Sequence, residues 1–150
     1  QNAAGFAQSV FENVSIDVEP GAITALLGPS GTGKTTLLKC MALLENPSKG
    51  RVTVENKIYD FPRDAARGFT PPWPELTVVF QQLFLWPHLT LRENIMLPVE
   101  KLDAGITGPR LEELSQMFGM EGFLDRYPNE TSRGQQQRAA LARALMLKPK

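Results

Sequence analysis

Residues 28–35 read Gly28-Pro29-Ser30-Gly31-Thr32-Gly33-Lys34-Thr35, which is the spacing G-x-x-x-x-G-K-[ST]. Glycines at these positions let successive backbone N–H groups turn inward and form a nest for an anion. The ammonium group of Lys34 can reach the β- and γ-phosphates of a nucleotide, and the hydroxyl of Thr35 can bind Mg²⁺. The stretch therefore predicts a phosphate-binding loop, and the adjoining Thr36 completes its candidate residues.

The sequence on both sides of this loop has the pattern that phosphate binding requires. Residues 23–27 form a nearly continuous apolar run, which is typical of a strand buried on both faces. Residues 36–44 hold helix formers without Gly or Pro, and the breaker cluster at 46–50 predicts that the helix ends near Glu45. The order strand, loop, helix thus places a helix N-terminus at the phosphates. The alternative, a glycine-rich turn with an incidental lysine, does not explain why a strand and a helix lie on either side.

Composition excludes several classes of protein. The 150 residues suit one domain, and 16 basic residues balance 16 acidic ones, so no net field attracts nucleic acid or anionic lipid. The single Cys40 cannot form an internal disulfide, which suits a reducing compartment. Because no run of about 18 apolar residues occurs, any membrane role is expected to come through a partner.

Alternating and apolar segments predict the other strands. Alternation predicts an exposed-face strand at 14–18 and a hairpin that pairs 52–54 with 58–59 across Asn56-Lys57. Residues 76–80 read as a third buried strand, after an irregular proline-rich loop at 61–74.

The pattern becomes helical beyond Thr90. Thr90 and Glu93 fit a capping box, and Leu111 and Leu114 lie at helical spacing. A further long helix is predicted from about Ser132. The predicted breaks between these helices are Pro98, Gly105, Gly108 and Pro109.

Two further segments carry a family resemblance. The first is Val79-Phe80-Gln81-Gln82-Leu83-Phe84-Leu85-Trp86-Pro87-His88-Leu89-Thr90, and the second runs from Glu130-Thr131-Ser132-Arg133-Gly134-Gln135-Gln136-Gln137-Arg138 to Leu145. Together with the phosphate loop they resemble the Q-loop and the signature helix of the ATP-binding subunits of ABC transporters, over about residues 11–149. Three motifs in this order are far more specific than any one of them.

The resemblance implies an α/β fold: a P-loop NTPase core with an antiparallel β subdomain and a helical insert, incomplete at the C-terminus. Residues 1–80 and about 136–150 would form the core and β subdomain, and about 82–135 the helical subdomain. ATP and Mg²⁺ are the implied cofactors.

Gln81 follows a predicted buried strand, so its carboxamide should emerge at the carboxyl end, where ligands bind in open α/β sheets. There it could bind Mg²⁺ or orient the attacking water, or it could merely cap the strand. By resemblance Gln81, with Lys34, is a catalytic residue. Trp86 would then lie where the family docks its transmembrane subunits, although its ring could equally pack inward.

Ser132 and Gln135 form an S-x-x-Q capping box, which exposes free N–H groups at a helix start. In the resembled family, Ser132, Gly134 and Gln135 would contact ATP bound to the opposite subunit, so that two chains enclose two ATP molecules. Where the family commonly has Leu and Gly, this chain has Thr131 and Arg133. Arg133 could add positive charge near the γ-phosphate, or it could crowd the dimer interface. It is therefore either tolerated variation or an obstacle to dimer closure.

Two expectations concern the ends of the chain. Phe6 is the candidate for stacking on adenine, with Phe11 as the second choice and a core role as the alternative for Phe6. After Lys150 the family continues with a strand that carries the acidic Mg²⁺ and water-activating residues. The chain is therefore expected to be a fragment of a longer subunit or a truncated gene product. It should bind ATP and hydrolyse it slowly, since general-base catalysis contributes about 10²–10⁴-fold.

The resemblance implies an ATPase subunit that powers transport from the cytoplasmic face of a membrane. Its partners would be transmembrane permease subunits, a second ATPase subunit and an external solute-binding protein, with no nucleic acid. The motif context looks most like importers of polar amino acids. The alternatives are a soluble ABC-type ATPase of translation or DNA repair and a P-loop kinase.

Overall fold

The computed structural model describes residues 9–64, 68–101 and 104–150, and for residues 104–106 it describes the helical backbone only. The chain divides into two compact units, one up to Pro71 and one from Pro72 to Lys150. The elements of the first unit are helix α1 (Lys34–Met41) and strands β1 (Gly50–Val54) and β2 (Lys57–Phe61). The second unit holds helices α2 (Leu91–Met96), α3 (Ala104–Phe118) and α4 (Arg133–Leu145), with 3-10 turns at Leu97–Val99 and Pro128–Glu130.

Helix α1 begins directly after the phosphate loop, as predicted, but it ends at Met41 instead of near Glu45. Leu43 has a φ of 57°, and its N–H donates to the carbonyl of Cys40 at 3.0 Å. The N–H of Leu44 closes the same turn on the carbonyl of Lys39. A left-handed residue after the last helical turn satisfies the free carbonyls and ends the helix.

The predicted hairpin is confirmed. Strands β1 and β2 pair antiparallel, with Val52 opposite Tyr59 and Val54 opposite Lys57. The turn residues are therefore Glu55 and Asn56, one position before the predicted Asn56-Lys57. Glu55 adopts a φ of 52°, the left-handed conformation that two-residue hairpin turns need at their first position.

The strands predicted at 14–18, 23–27 and 76–80 are wrong as hydrogen-bonded elements. In the part of the chain that the structure describes, β1 and β2 form the one sheet, and the three segments lie outside it. A buried strand exists only where neighbours accept its hydrogen bonds and cover its side chains. Without such neighbours Ile23 is 100% exposed and Leu27 is 87% exposed.

The second unit is built around one apolar core. Helix α4 packs against α2 and α3, and three buried alanines, Ala139, Ala140 and Ala142, allow close approach. The buried members of this core are Leu91, Ile95, Val99, Leu111, Leu114, Met120, Phe123, Leu124, Ala139, Ala142 and Met146. The core fixes the start of α4 relative to the segment that precedes α2.

The predicted breaks at Gly105, Gly108 and Pro109 are wrong, because α3 runs through all three residues. Pro109 lies in the second turn, where its missing N–H costs the helix one early bond. The buried Leu111 and Leu114 that follow pack into the core and hold the helix in spite of that loss. Pro98 lies within the 3-10 turn Leu97–Val99, directly after α2.

Both predicted capping boxes are confirmed. The Thr90 hydroxyl accepts from the N–H of Glu93, and the Glu93 carboxylate accepts from the N–H of Thr90 at 2.7 Å. Hydrogen bonds from the Thr90 N–H and hydroxyl hold the pKa of Glu93 below its ordinary value. None of the helices in residues 9–64, 68–101 and 104–150 is both long and apolar enough to cross a bilayer.

Candidate functional site

The phosphate loop requires glycine at position 33. Gly33 has a φ of 87° and precedes the first residue of α1. An ideal Cβ at this position would lie 2.7 Å from the Cγ1 of Val10, closer than real Cβ contacts allow. Both the left-handed backbone and the crowding by Val10 therefore exclude larger residues.

Lys34 folds back over the loop that precedes it. Its Nζ donates to the carbonyl oxygens of Gly28 at 2.8 Å and Pro29 at 2.5 Å. The hydroxyl of Thr32 donates to the same Pro29 carbonyl at 3.0 Å. These bonds hold the loop in a closed turn and leave Lys34 with one of its three N–H donors for another acceptor.

Several donors of the loop have no acceptor within the described residues. The N–H groups of residues 30–36 donate to no carbonyl there, and the first helical bond from this region is Leu37 N–H to Gly33 at 2.8 Å. No side chain caps the start of α1. Free N–H groups at the start of a helix, beside a lysine, form a site for an anionic oxygen group.

The loop also fits Mg²⁺ bound together with a nucleotide. The Thr35 side chain is exposed and makes no hydrogen bond among the described residues, so its oxygen is free to act as a ligand. Within the described ranges no cluster of three or more His, Cys, Asp or Glu residues could hold a metal by itself. A Mg²⁺ ion would therefore need phosphate oxygens from the nucleotide, which is how this ion commonly binds.

Gln81 is exposed in the second unit and follows segment 76–80, which has no regular secondary structure. Its side chain makes no hydrogen bond with another described residue, which leaves the carboxamide free. Its backbone carbonyl accepts from Nη2 of Arg133 at 2.8 Å. The structure therefore ties the Gln81 backbone to the start of α4, a contact that the sequence did not predict.

The segment after Gln81 is organised by a buried asparagine. Asn94 is 0% exposed and its side chain binds both the N–H of Trp86, at 2.7 Å, and the carbonyl of Trp86, at 3.0 Å. It also donates to the carbonyls of Leu89 and Thr90. The turn is fixed from inside, while the indole of Trp86 is 54% exposed and packs edge-on against His88.

Sequence reasoning missed Asn94, although a signal for it exists. It lies beside Leu91 and Ile95 on the face of α2 that enters the core. A polar residue on an apolar helix face needs hydrogen-bond partners, and the backbone of the turn before the helix can supply them. The alternative of an inward-packed Trp86 is wrong, since its ring lies at the surface.

The start of α4 has the predicted geometry. Ser132 is the N-cap, its hydroxyl accepts from the Gln135 N–H, and its own N–H donates to the Gln135 side chain at 2.8 Å. A Cβ added to Gly134 would meet nothing within 4 Å. Nothing in the described part of the chain thus requires glycine at position 134.

Phe6 lies outside the described residues. Phe11, the second choice for adenine stacking, is half-buried, and one of its ring carbons lies 3.7 Å from the position of an added Gly33 Cβ. Phe11 therefore borders the phosphate loop at Gly33.

Comparison with known proteins identifies relatives over nearly the whole chain. The model of the family described as ABC transporter matches residues 11–150. The chain is 41% identical, over 93% of its length, to a probable sulfate/thiosulfate import ATP-binding protein of Chlorella vulgaris. It is 37% identical, over 97% of its length, to an arginine transport ATP-binding protein of Haemophilus influenzae.

Solved structures agree with this assignment. The dimeric ABC transporter cassette MJ0796 superposes with a TM-score of 0.73 at 32% identity, over 93% of this chain and 62% of the cassette. The chain spans 57% of the length of the Chlorella protein and 61% of the Haemophilus one. The predicted fold class, a P-loop NTPase of the ABC cassette type, is confirmed.

Proposed function

The chain belongs to the ABC transporter family, and from this premise we propose that it is the nucleotide-binding part of an ATP-driven import subunit. The observation that carries this proposal is the loop at 28–36, with its free N–H groups and the ammonium of Lys34. Because the chain spans only 57% and 61% of the length of these two relatives, ATP hydrolysis and transport are proposed for the whole protein.

The residue roles are proposed as follows. Lys34 and the loop N–H groups bind the phosphates of ATP, and Thr35 and Gln81 supply oxygen ligands to Mg²⁺. When bound, Mg²⁺ would neutralise charge on the phosphates. Ser132, Gly134 and Gln135 would contact ATP held by a second subunit. Support comes from the unfilled space at Gly134 and from the dimeric form of the similar cassette.

The proposed partners are transmembrane permease subunits, reached through the turn that presents Trp86. An exposed aromatic ring on a rigid turn is the kind of anchor that protein interfaces favour. A second ATPase subunit and an external solute-binding protein complete the proposed assembly, which would place the chain at the cytoplasmic face of a membrane. The balanced net charge of the chain gives no overall attraction to nucleic acid.

We propose a small polar solute as the cargo. The similarity to an arginine transport protein supports an amino acid. The 41% identity to a sulfate/thiosulfate import protein supports an inorganic anion equally well. The similar sulfate/thiosulfate, Fe(3+) and trehalose/maltose proteins are import proteins, which supports import as the direction of transport. The solute itself would be chosen by the permease and the external binding protein.

Mg²⁺ is expected to increase the affinity for ATP, and we call the ratio of the two affinities the Mg²⁺ gain. In Thr35→Val this ratio should fall about tenfold, because the ion loses one protein ligand worth ~1.4 kcal/mol. Affinity without Mg²⁺ should change much less. The measurement is equilibrium dialysis of labelled ATP against the chain, with and without Mg²⁺.

Thr53→Val is the matched control, because Thr53 is an exposed threonine on β1. It should leave both affinities unchanged. A Thr35→Val chain that keeps the full Mg²⁺ gain would contradict the proposed role of this hydroxyl.

A further inference from the structure

Two arginines of α4 hold the backbone that follows residue 80. Arg133 donates to the carbonyl of Gln81 at 2.8 Å. Arg143 donates to the carbonyls of Leu83 at 2.6 Å and Phe84 at 2.8 Å. Three of the four carbonyls in 81–84, which we call the Gln81 loop, are thus bound by guanidinium groups of one helix.

The two arginines act in different surroundings. Arg143 is partly buried, and burial lowers its pKa. Its bond to Leu83 is partly buried, and its bond to Phe84 is exposed. Arg133 is exposed and holds only Gln81, at the outer end of the loop. Between the loop and α4 lies a pocket of about 480 Å³, lined in part by Phe80, Gln81 and Arg133.

From the sequence, two interpretations of Arg133 were possible: tolerated variation, or an obstacle to dimer closure. In the structure the guanidinium of Arg133 makes a hydrogen bond within its own chain, to the carbonyl of Gln81, which lies 52 positions away in sequence. A glycine, the residue usual at this position in the resembled family, has no side chain to reach that carbonyl. Hydrogen bonds from a charged donor are about twice as strong as neutral ones.

We propose that Arg133 is a positioning residue that tethers the backbone of Gln81 to the start of α4. The tether joins the loop that carries Gln81 to the helix start that carries Ser132, Gly134 and Gln135. Neither group of residues can then shift without breaking the bond or moving the other.

This inference rests on the proposed function, in which Gln81 is a Mg²⁺ ligand. A tethered backbone has less conformational freedom to lose when its side chain binds the ion. The tether should therefore favour Mg²⁺-dependent binding of ATP and have little effect on binding through Lys34 alone.

The first arm of the test observes the tether without nucleotide. In Arg133→Met, the ¹³C′ resonance of Gln81 should move upfield, because a carbonyl that loses a charged donor is less deshielded. The resonances of Leu83 and Phe84 should stay in place, since Arg143 holds them. Arg133→Lys should restore part of the Gln81 shift. Arg138→Met is the matched control, because Arg138 lies on α4 but binds Phe118 and Gly119.

The second arm measures ATP affinity with and without Mg²⁺. Arg133→Met should reduce the Mg²⁺ gain by about two- to fivefold, as expected for one exposed hydrogen bond. Arg133→Lys should show a smaller loss and Arg138→Met none. A general structural defect would instead lower affinity in both conditions equally.

The outcomes separate the inference from the function on which it rests. An unmoved Gln81 resonance, or an unchanged or increased Mg²⁺ gain in Arg133→Met, overturns the positioning role. A wild-type chain that shows no Mg²⁺ gain contradicts the proposed function, and this inference with it.

Discussion

Lys34→Ala is expected to weaken ATP binding by about 10- to 100-fold, because the one N–H donor that the loop leaves free would make a charge-assisted bond to phosphate worth about 1.5–3 kcal/mol. In the nucleotide-free chain Nζ binds the carbonyls of Gly28 and Pro29. The variant therefore also loses the bonds that keep the loop closed. Isothermal titration calorimetry with ATP measures the loss directly.

Lys39→Ala provides the matched control. Lys39 lies in the same helix and forms an ion pair with Glu45 at 2.6 Å. Its removal takes away the same charge without touching the phosphate loop, and an ion pair that is still partly in contact with solvent contributes little to stability. Equal losses in the two variants would mean that net charge, and not the loop, governs ATP affinity.

Asn94→Leu is expected to lower the free energy of unfolding by about 2–4 kcal/mol, because buried polar groups left without partners cost ~1–3 kcal/mol each. Leucine fills a similar volume but offers no acceptor to the Trp86 N–H and no donor to the carbonyls of Trp86 and Leu89. Water cannot replace the carboxamide at a position that is 0% exposed. Urea unfolding followed by circular dichroism gives the change.

Asn129→Leu is the control for this experiment. Asn129 is exposed in the 3-10 turn Pro128–Glu130, and its replacement should change stability by less than about 0.5 kcal/mol. If Asn94→Leu has an equally small effect on stability, other contacts hold the turn before α2. That result would contradict the claim that Asn94 fixes the turn that carries Trp86.

Features encoded by neighbouring residues could be predicted from the sequence. The capping boxes at Thr90 and Ser132 depend on residues three positions apart, and both are present. The hairpin of β1 and β2 needs two short alternating segments and a turn. Its prediction was wrong only in the position of the turn, by one residue. Three motifs in this order, the phosphate loop, the segment 79–90 and the signature helix, were enough to identify the family, which the comparisons confirm.

Features that depend on distant partners could not be predicted. The apolar run at 23–27 has the composition of a buried strand, but pairing requires a neighbour that local pattern does not supply. The passage of α3 through Pro109 depends on core contacts made by Leu111 and Leu114. The bond from Arg133 to Gln81 joins segments 52 positions apart, and no spacing rule connects an arginine with a backbone carbonyl at that distance.

The central claim is that the loop at 28–36 binds the phosphates of ATP. Titration of ATP into the wild-type chain by calorimetry, with and without Mg²⁺ and with AMP for comparison, tests it most directly. One ATP should bind per chain, more tightly with Mg²⁺, and AMP should bind far more weakly because it lacks the β- and γ-phosphates. Absence of ATP binding, or equal affinity for ATP and AMP, would contradict the claim.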